Sequence, residues 1–407
     1  MLLAVPPALP PNVTPAVAAD HAFAATLYKA ARPPTGNLFL SPASIRVALA
    51  MTAAGAAGDT AIEMQKVLGL DPDSGRSDAS FAALIADWNA RGTPSVPLFA
   101  SAAERERIAH NSIELHLANR LWGQTGYTFL DPFLITLKKS YLAPLKQLDF
   151  ASRLQASVDE INAWVAKQTA EKIKELIPQG VLATTTKLVL TNAIYFKSAW
   201  RTPFSAAATH DAPFSTGVKQ VNVPTMQETA HWGYGELPGL KLLELPYIDG
   251  TLSMVVVLPN EQSGLATLES SLSGEAIDSW FNALQPAQRV WVQIPRFKVE
   301  GSFSLAKPLR AMGMNSAFSE GTADFSHMDG KRDLVIADVL HKAFVEVTES
   351  GTEAAAATAV VMRALTATLP PHEAKPFEFK ADHPFLFFIR DIKNNSILFA
   401  GRVVDPG

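Results

Sequence analysis

Two stretches of this chain are apolar on consecutive rather than alternate residues: 188–196 (LVLTNAIYF), and the pair 385–389 (FLFFI) and 397–400 (ILFA) around the turn Lys393-Asn394-Asn395-Ser396. A strand of that kind has no face to show to water, so both stretches belong in sheets covered on two sides, the pair as a central hairpin. Asn192, the one amide in the first stretch, must then find hydrogen-bond partners inside the protein. Helical spacing supplies the covering layers: residues 16–31, 43–54, 58–68 and 79–90 read as helices. The second opens at Ser41-Pro42 and is apolar nearly all round, which predicts a buried helix. Residues 154–177 return to helical spacing, with Leu154, Val158, Ile161 and Val165 on one stripe, the pattern of a surface helix lying on something flat. Period two appears at Ile113, Leu115, Leu117 and Leu121-Trp122, and further strands are expected over 242–245, 252–258, 290–299 and 334–347. Helices come early and strands late without βαβ alternation, so the fold class is α+β. A proline-rich lead occupies 1–15; no linker divides 16–407, which is expected to form one domain.

Chemistry is conspicuous mainly for what is missing. The 407 residues are 48% hydrophobic and 18% charged with net charge −4, an ordinary globular balance that argues against an electrostatically driven nucleic-acid binder. Cysteine is absent, which removes disulfides, thiolate nucleophiles and cysteine-ligated zinc. The apolar run before Pro6 is too short for a complete signal peptide or a membrane span, so no membrane partner is expected. There is no GxSxG, GxxxxGK[ST] or HExxH, and Gly233-Tyr234-Gly235 is followed by Pro238 where a dinucleotide fingerprint needs glycine. Asp71-Pro72-Asp73-Ser74-Gly75 imitates a calcium loop but lacks its glutamate and reads as a turn. Lys138-Lys139 is too small a basic cluster to imply a polyanion. His116 and His341 sit in strand patterns, where a hydrogen-bonded structural histidine is the simpler expectation. No cofactor and no metal are expected.

The segment 349–366 (ESGTEAAAATAVVMRALT) reads in two incompatible ways. Ser350 with Glu353 makes a capping box ahead of four alanines, the signature of a short helix. With period two, Thr352, Ala354, Ala356, Thr358, Val360 and Met362 form one uncharged face while Glu353 and Arg363 fall on the other, the signature of a strand with one side ready for a core. Together they suggest a segment with two states.

Five motifs in order resemble the serpins, over residues 16 to 406: NLFLSPASI at 37–45, LTNAIYFK at 190–197 with Trp200, HKA at 341–343, the segment from 349, and DHPFLF at 382–387 with LFAGRV at 398–403. The resemblance implies about nine helices, three β-sheets and an exposed reactive-centre loop over about 349–376. It also implies a metastable protein, a suicide substrate that traps a serine protease as an acyl-enzyme when the cleaved loop inserts into the large sheet. The hinge would be Glu349, Ser350, Gly351, Thr352, Glu353, Ala354, Ala355, Ala356, Ala357 and Thr358, small enough to pass between strands. Residues 366–376, with Pro370 and Pro371, are longer than the family commonly has, so the scissile bond is counted forward from the hinge and falls at Leu365-Thr366. Arg363-Ala364 is the alternative. Leucine favours chymotrypsin-like, elastase-like or subtilisin-like targets. The resemblance further implies a buried polar cluster of Ser41, Ser44, Asn192 and His341 under the large sheet, Trp200 at the sheet top, and a monomer. The compartment stays open, with an extracellular or periplasmic one expected rather than a cytoplasmic one. Two alternatives stand beside this: a non-inhibitory serpin acting as carrier, chaperone or storage protein, and a hydrolase using Ser41 or Ser44 with His341.

Overall fold

The computed structural model describes residues 14–17, 19–92, 101, 105, 113–352 and 375–407. One sheet has six strands in the order Phe297–Ser304, Leu340–Thr348, Gly351–Thr352, Leu188–Ala199, Glu114–Gln124 and Lys146–Leu148. The second has nine, with Phe385–Asp391 and Ser396–Val403 forming the expected apolar hairpin, buried along both strands apart from Arg390. Its strand Gln220–Leu237 pairs with His210–Ser215 at its start and with Leu240–Pro246 at its end. The three sheets implied by the resemblance are therefore the six-stranded sheet and two halves of the nine-stranded one, joined through that long strand.

The six-stranded sheet is covered on both faces, as its apolar strands require. On one side lies the helix Leu154–Gln168, whose buried stripe Val158, Ile161 and Val165 packs with Ala118, Trp122, Val189 and Ala193 of the sheet. On the other lies the main core, including the helix Pro42–Ala53, in which every residue but Ala53 is buried. Ser41 caps that helix by accepting from the Ser44 amide at 3.1 Å. Arg46, buried in the same helix, donates to the carbonyls of Leu68 (2.7 Å) and Gly69 (3.1 Å), the negative end of the helix Gly58–Leu68.

Several expected elements differ in extent, among them the helices expected over 79–90 and 16–31, which run Ser74–Asn89 and Asp20–Ala31. The helix from 154 stops at Gln168, not 177: Ala170 and Glu171 take left-handed φ values of 48° and 63°. Asn162 then ties the following chain down, accepting from the amides of Leu176 and Ile177 at 3.0 and 2.9 Å, so the apolar residues beyond the helix still fill the same core. The strand expected over 290–299 is two strands, Gln285–Pro295 in the nine-stranded sheet and Phe297–Ser304 in the six-stranded one, with Arg296 at the crossing. The strand expected over 334–347 begins only at Leu340; Leu334 and Val339 are buried in irregular chain. Asp73 serves as the cap of the helix Ser74–Asn89, accepting from Gly75 and Arg76, which places the acidic turn at a helix start. His116 is exposed and stacks on Tyr195 at 6.0 Å.

Candidate functional site

Leu340–Thr348 and Leu188–Ala199 run parallel but pair directly only from Leu340 opposite Thr191 to Ala343 opposite Ile194. Farther along, Gly351–Thr352 stands between them, antiparallel to both: Thr352 faces Val347 on one side and Ser198 on the other, and Gly351 faces Thr348 and Ala199. Between these two paired zones, residues 344–346 and 195–197 share no ladder with each other. The sheet is closed at one end, wedged at the other and unzipped between. The wedge requires glycine: Gly351 has φ +153°, and a Cβ there would meet Ser198 O at 2.2 Å and Ala199 Cα at 2.7 Å.

The turn that feeds the wedge is tied down by backbone, aromatic and charged groups. Ser350 O accepts from the Trp200 amide and Glu349 O from the Phe204 amide, both at 2.9 Å, and the Trp200 indole donates to Thr348 O at 2.9 Å. Thr352 is fully buried, its hydroxyl 2.7 Å from that of Tyr247, which stacks on Trp200 (4.7 Å) and meets Phe196 edge-on (4.9 Å). The Glu349 carboxylate accepts from Arg296 Nε (2.8 Å) and Nη2 (2.6 Å) and from the Thr209 hydroxyl (2.5 Å). Burial pushes Glu349 upward, but these hydrogen bonds outweigh it and hold the carboxyl below the usual carboxylate range.

Under the closed end, a polar rung crosses three strands. His341 is the register partner of Asn192, and Asn192 is that of Asn119. His341 Nδ1 donates to Asn192 Oδ1, while its Nε2 accepts from the Ser41 amide at 3.1 Å; the Asn192 amide donates to Ser44 Oγ (2.7 Å) and Asn119 Oδ1 (2.6 Å). Ser41 Oγ donates to Leu398 O at 2.6 Å. One imidazole nitrogen donating and one accepting is the neutral ring, and burial pushes the His341 pKa down to about 3. Neither serine hydroxyl bonds to the imidazole, and Ser41, Ser44 and His341 are all buried, so the constellation lacks the nucleophile–base contact a hydrolase needs.

A family model described as serpin (serine protease inhibitor) matches residues 18–406. The chain belongs to the serpin family. It is 41% identical to the leukocyte elastase inhibitor of Xenopus tropicalis over 380 residues, covering 91% of this chain and 94% of the relative. It is also 41% identical to human Serpin B3 over 374 residues, with the same coverages. Among solved structures, Serpin48 of the insect Tenebrio molitor aligns with a TM-score of 0.79 at 30% identity, over 95% of this chain and 97% of that one.

In serpin terms, the structure places Glu349, Ser350, Gly351 and Thr352 at the mouth of the six-stranded sheet and joins Ser41, Ser44, Asn192 and His341 in one network. Glu353 to Thr358 and both reactive-bond assignments, Leu365-Thr366 and Arg363-Ala364, lie outside the described residues. Sequence reasoning missed Asn119, although it falls in phase with Leu115, Leu117 and Leu121 as a lone amide on a buried face. It also missed Tyr247, Arg296 and Thr209, which sit just outside the ends of distant strands and carry no local signal.

Thr352→Arg would bury an unpaired guanidinium against Tyr247, at a cost of several kcal/mol. Gly351–Thr352 should leave the sheet, and hydrogen exchange at the Trp200 and Phe204 amides should speed by more than about tenfold, the equivalent of about 1.4 kcal/mol. Unchanged protection there would show that the two residues are not held in the wedge.

The histidine carries a pH signature. The unfolded chain binds a proton at His341 below about pH 6.5, whereas the folded chain resists until about pH 3. Stability from this group is present above pH 6.5 and drains as pH falls, by about 2 kcal/mol between pH 7 and pH 5. Denaturant unfolding of His341→Gln should start about 1 to 3 kcal/mol lower at pH 7 and fall less steeply toward pH 5. Equal slopes in the two proteins would contradict a buried neutral imidazole.

Proposed function

We propose that this serpin is a suicide-substrate inhibitor of serine proteases and has no turnover chemistry of its own. Its contribution is a peptide bond and a sheet with room for one more strand. The protease serine attacks the scissile carbonyl, the new amine end departs, and an acyl-enzyme ester remains. Insertion of the cleaved loop then competes with water for that ester, and a chain that inserts faster keeps the protease.

The observation that carries this is the pair of registers at Thr352. Continued along Leu188–Ala199 and along Leu340–Thr348, both bring residue 358 between Asn192 and His341. Thr358 is the residue there, a hydroxyl entering the one polar rung, while Glu353, Ala354 and Ala355 come opposite the unzipped zone and Ala356 and Ala357 enter the ladder beyond it. In the same register residue 362 reaches Leu188, the first residue of its strand, so residues 351–362 match a strand of roughly 40 Å at about 3.3 Å per residue. That length carries an attached protease from one end of the sheet toward the other. The relative named leukocyte elastase inhibitor supports an apolar-pocket protease as the target, and Leu365 is assigned as the residue filling that pocket.

Incubation with chymotrypsin, pancreatic elastase, subtilisin and trypsin should give SDS-stable complexes with at least one of the first three. Mass spectrometry of the released C-terminal peptide should find it beginning at Thr366. A peptide beginning at Ala364 would move the reactive bond to Arg363 and favour a trypsin-like target. Cleavage of the loop by every protease without a covalent complex would overturn inhibition and leave a non-inhibitory serpin.

A further inference from the structure

At the foot of the six-stranded sheet, opposite the wedge, one set of side chains ties together the segments that lead into strands on both sides of the slot. Lys187 immediately precedes Leu188–Ala199, and Tyr127 follows Glu114–Gln124 on the same side. Asp333 belongs to the segment that leads, through the buried Leu334 and Val339, into Leu340–Thr348 on the other side. Lys187 Nζ donates to Asp333 Oδ2 at 2.6 Å. The Tyr127 phenol lies between Asp333 Oδ1, at 2.7 Å, and Asp329 Oδ2, its one proton shared between two carboxylates. Lys187 and Lys331 also stand over the Tyr127 ring, 5.4 and 5.6 Å from its centroid. Hydrogen bonds from Lys187 and then Tyr127 hold the Asp333 carboxyl down at about 2, so it is charged in this contact under any ordinary condition.

These contacts span the only direct ladder between the two strands, Leu340–Ala343 against residues 191–194. A strand inserted to its full length in the observed register ends at Leu188, one residue above Lys187. The ladder must then part along its whole length, and Asp333 must move relative to Lys187 and Tyr127.

We propose that Lys187, Tyr127 and Asp333 form a clasp that holds the slot shut at its foot and sets how fast the last part of a new strand can enter. It rests on the loop-insertion reading above. Its location separates it from the polar rung at His341: the rung lies within the ladder, whereas the clasp lies below it and joins partly exposed residues outside the strands. A clasp there acts as a brake on spontaneous insertion in the intact protein, the charge-assisted hydrogen bond from the Tyr127 phenol adding to a partly exposed ion pair.

The test uses the full-length protein and a synthetic peptide with the sequence of residues 351–362, whose uptake into the sheet is followed on native gels and by mass spectrometry. Asp333→Asn and the milder Tyr127→Phe should each take up peptide roughly tenfold faster than wild type, as expected for loss of a charge-assisted hydrogen bond. Arg332→Gln is the control: Arg332 lies in the same segment but pairs with Asp324 at 2.7 Å and does not reach Lys187 or Tyr127 in that pairing, so its rate should stay within about twofold of wild type. Variant rates equal to wild type, or an equal acceleration by Arg332→Gln, would overturn the clasp while leaving loop insertion standing. Wild-type protein that takes up no peptide at any temperature below unfolding would refute loop insertion, and the clasp with it.

Discussion

The whole molecule turns on a ladder that stops partway. Two parallel strands, Leu188–Ala199 and Leu340–Thr348, share hydrogen bonds over four residue pairs and then diverge around Gly351–Thr352. Backbone amides and carbonyls facing an unfilled slot are a standing source of free energy, because each could pair with a new strand. Such a native state persists through a barrier rather than through being the best-paired arrangement available to the chain. Both covering layers serve that barrier. The helix Leu154–Gln168 lies across one face, and the buried helix Pro42–Ala53 plugs the other with the serines that reach the polar rung.

Polar groups at the ladder make opening possible without making it free. Apolar contacts at that level would lose packing as the strands part and regain it only when the new strand is complete. A rung of His341, Asn192, Asn119 and Ser44 can exchange one partner for another, and a threonine hydroxyl arriving at the same level provides one. At the mouth, Glu349 and Arg296 fix the direction in which the chain enters. This places the Glu349 charge outside the slot, and the nine residues 351–359 that follow the turn are glycine, threonine and alanine apart from Glu353.

Much of this was legible in the amino-acid sequence because its causes are local or periodic. Consecutive apolar residues marked the doubly covered strands, and the Val158, Ile161 and Val165 stripe marked a helix on a flat surface. Asn192 announced a buried polar cluster because an amide in such a run must be paired. What escaped was set by distant partners. The helix from Leu154 ends at Gln168 because Asn162 captures the chain beyond it, although the apolar spacing continues. The run across 290–299 splits because Arg296 crosses between sheets. Tyr247, Thr209 and the Tyr127–Asp333 contact join residues over 100 positions apart, and no period or motif points from one to the other.

The measurement that bears most directly on the unfinished sheet is thermal unfolding of the intact protein beside the same protein nicked between residues 358 and 369, with both fragments retained. Insertion fills the slot, pairs the facing backbone groups and removes the metastability, so the nicked protein should melt well above the intact one. A nicked protein that melts at the same temperature, or below it, would contradict a sheet held open for a strand of its own chain.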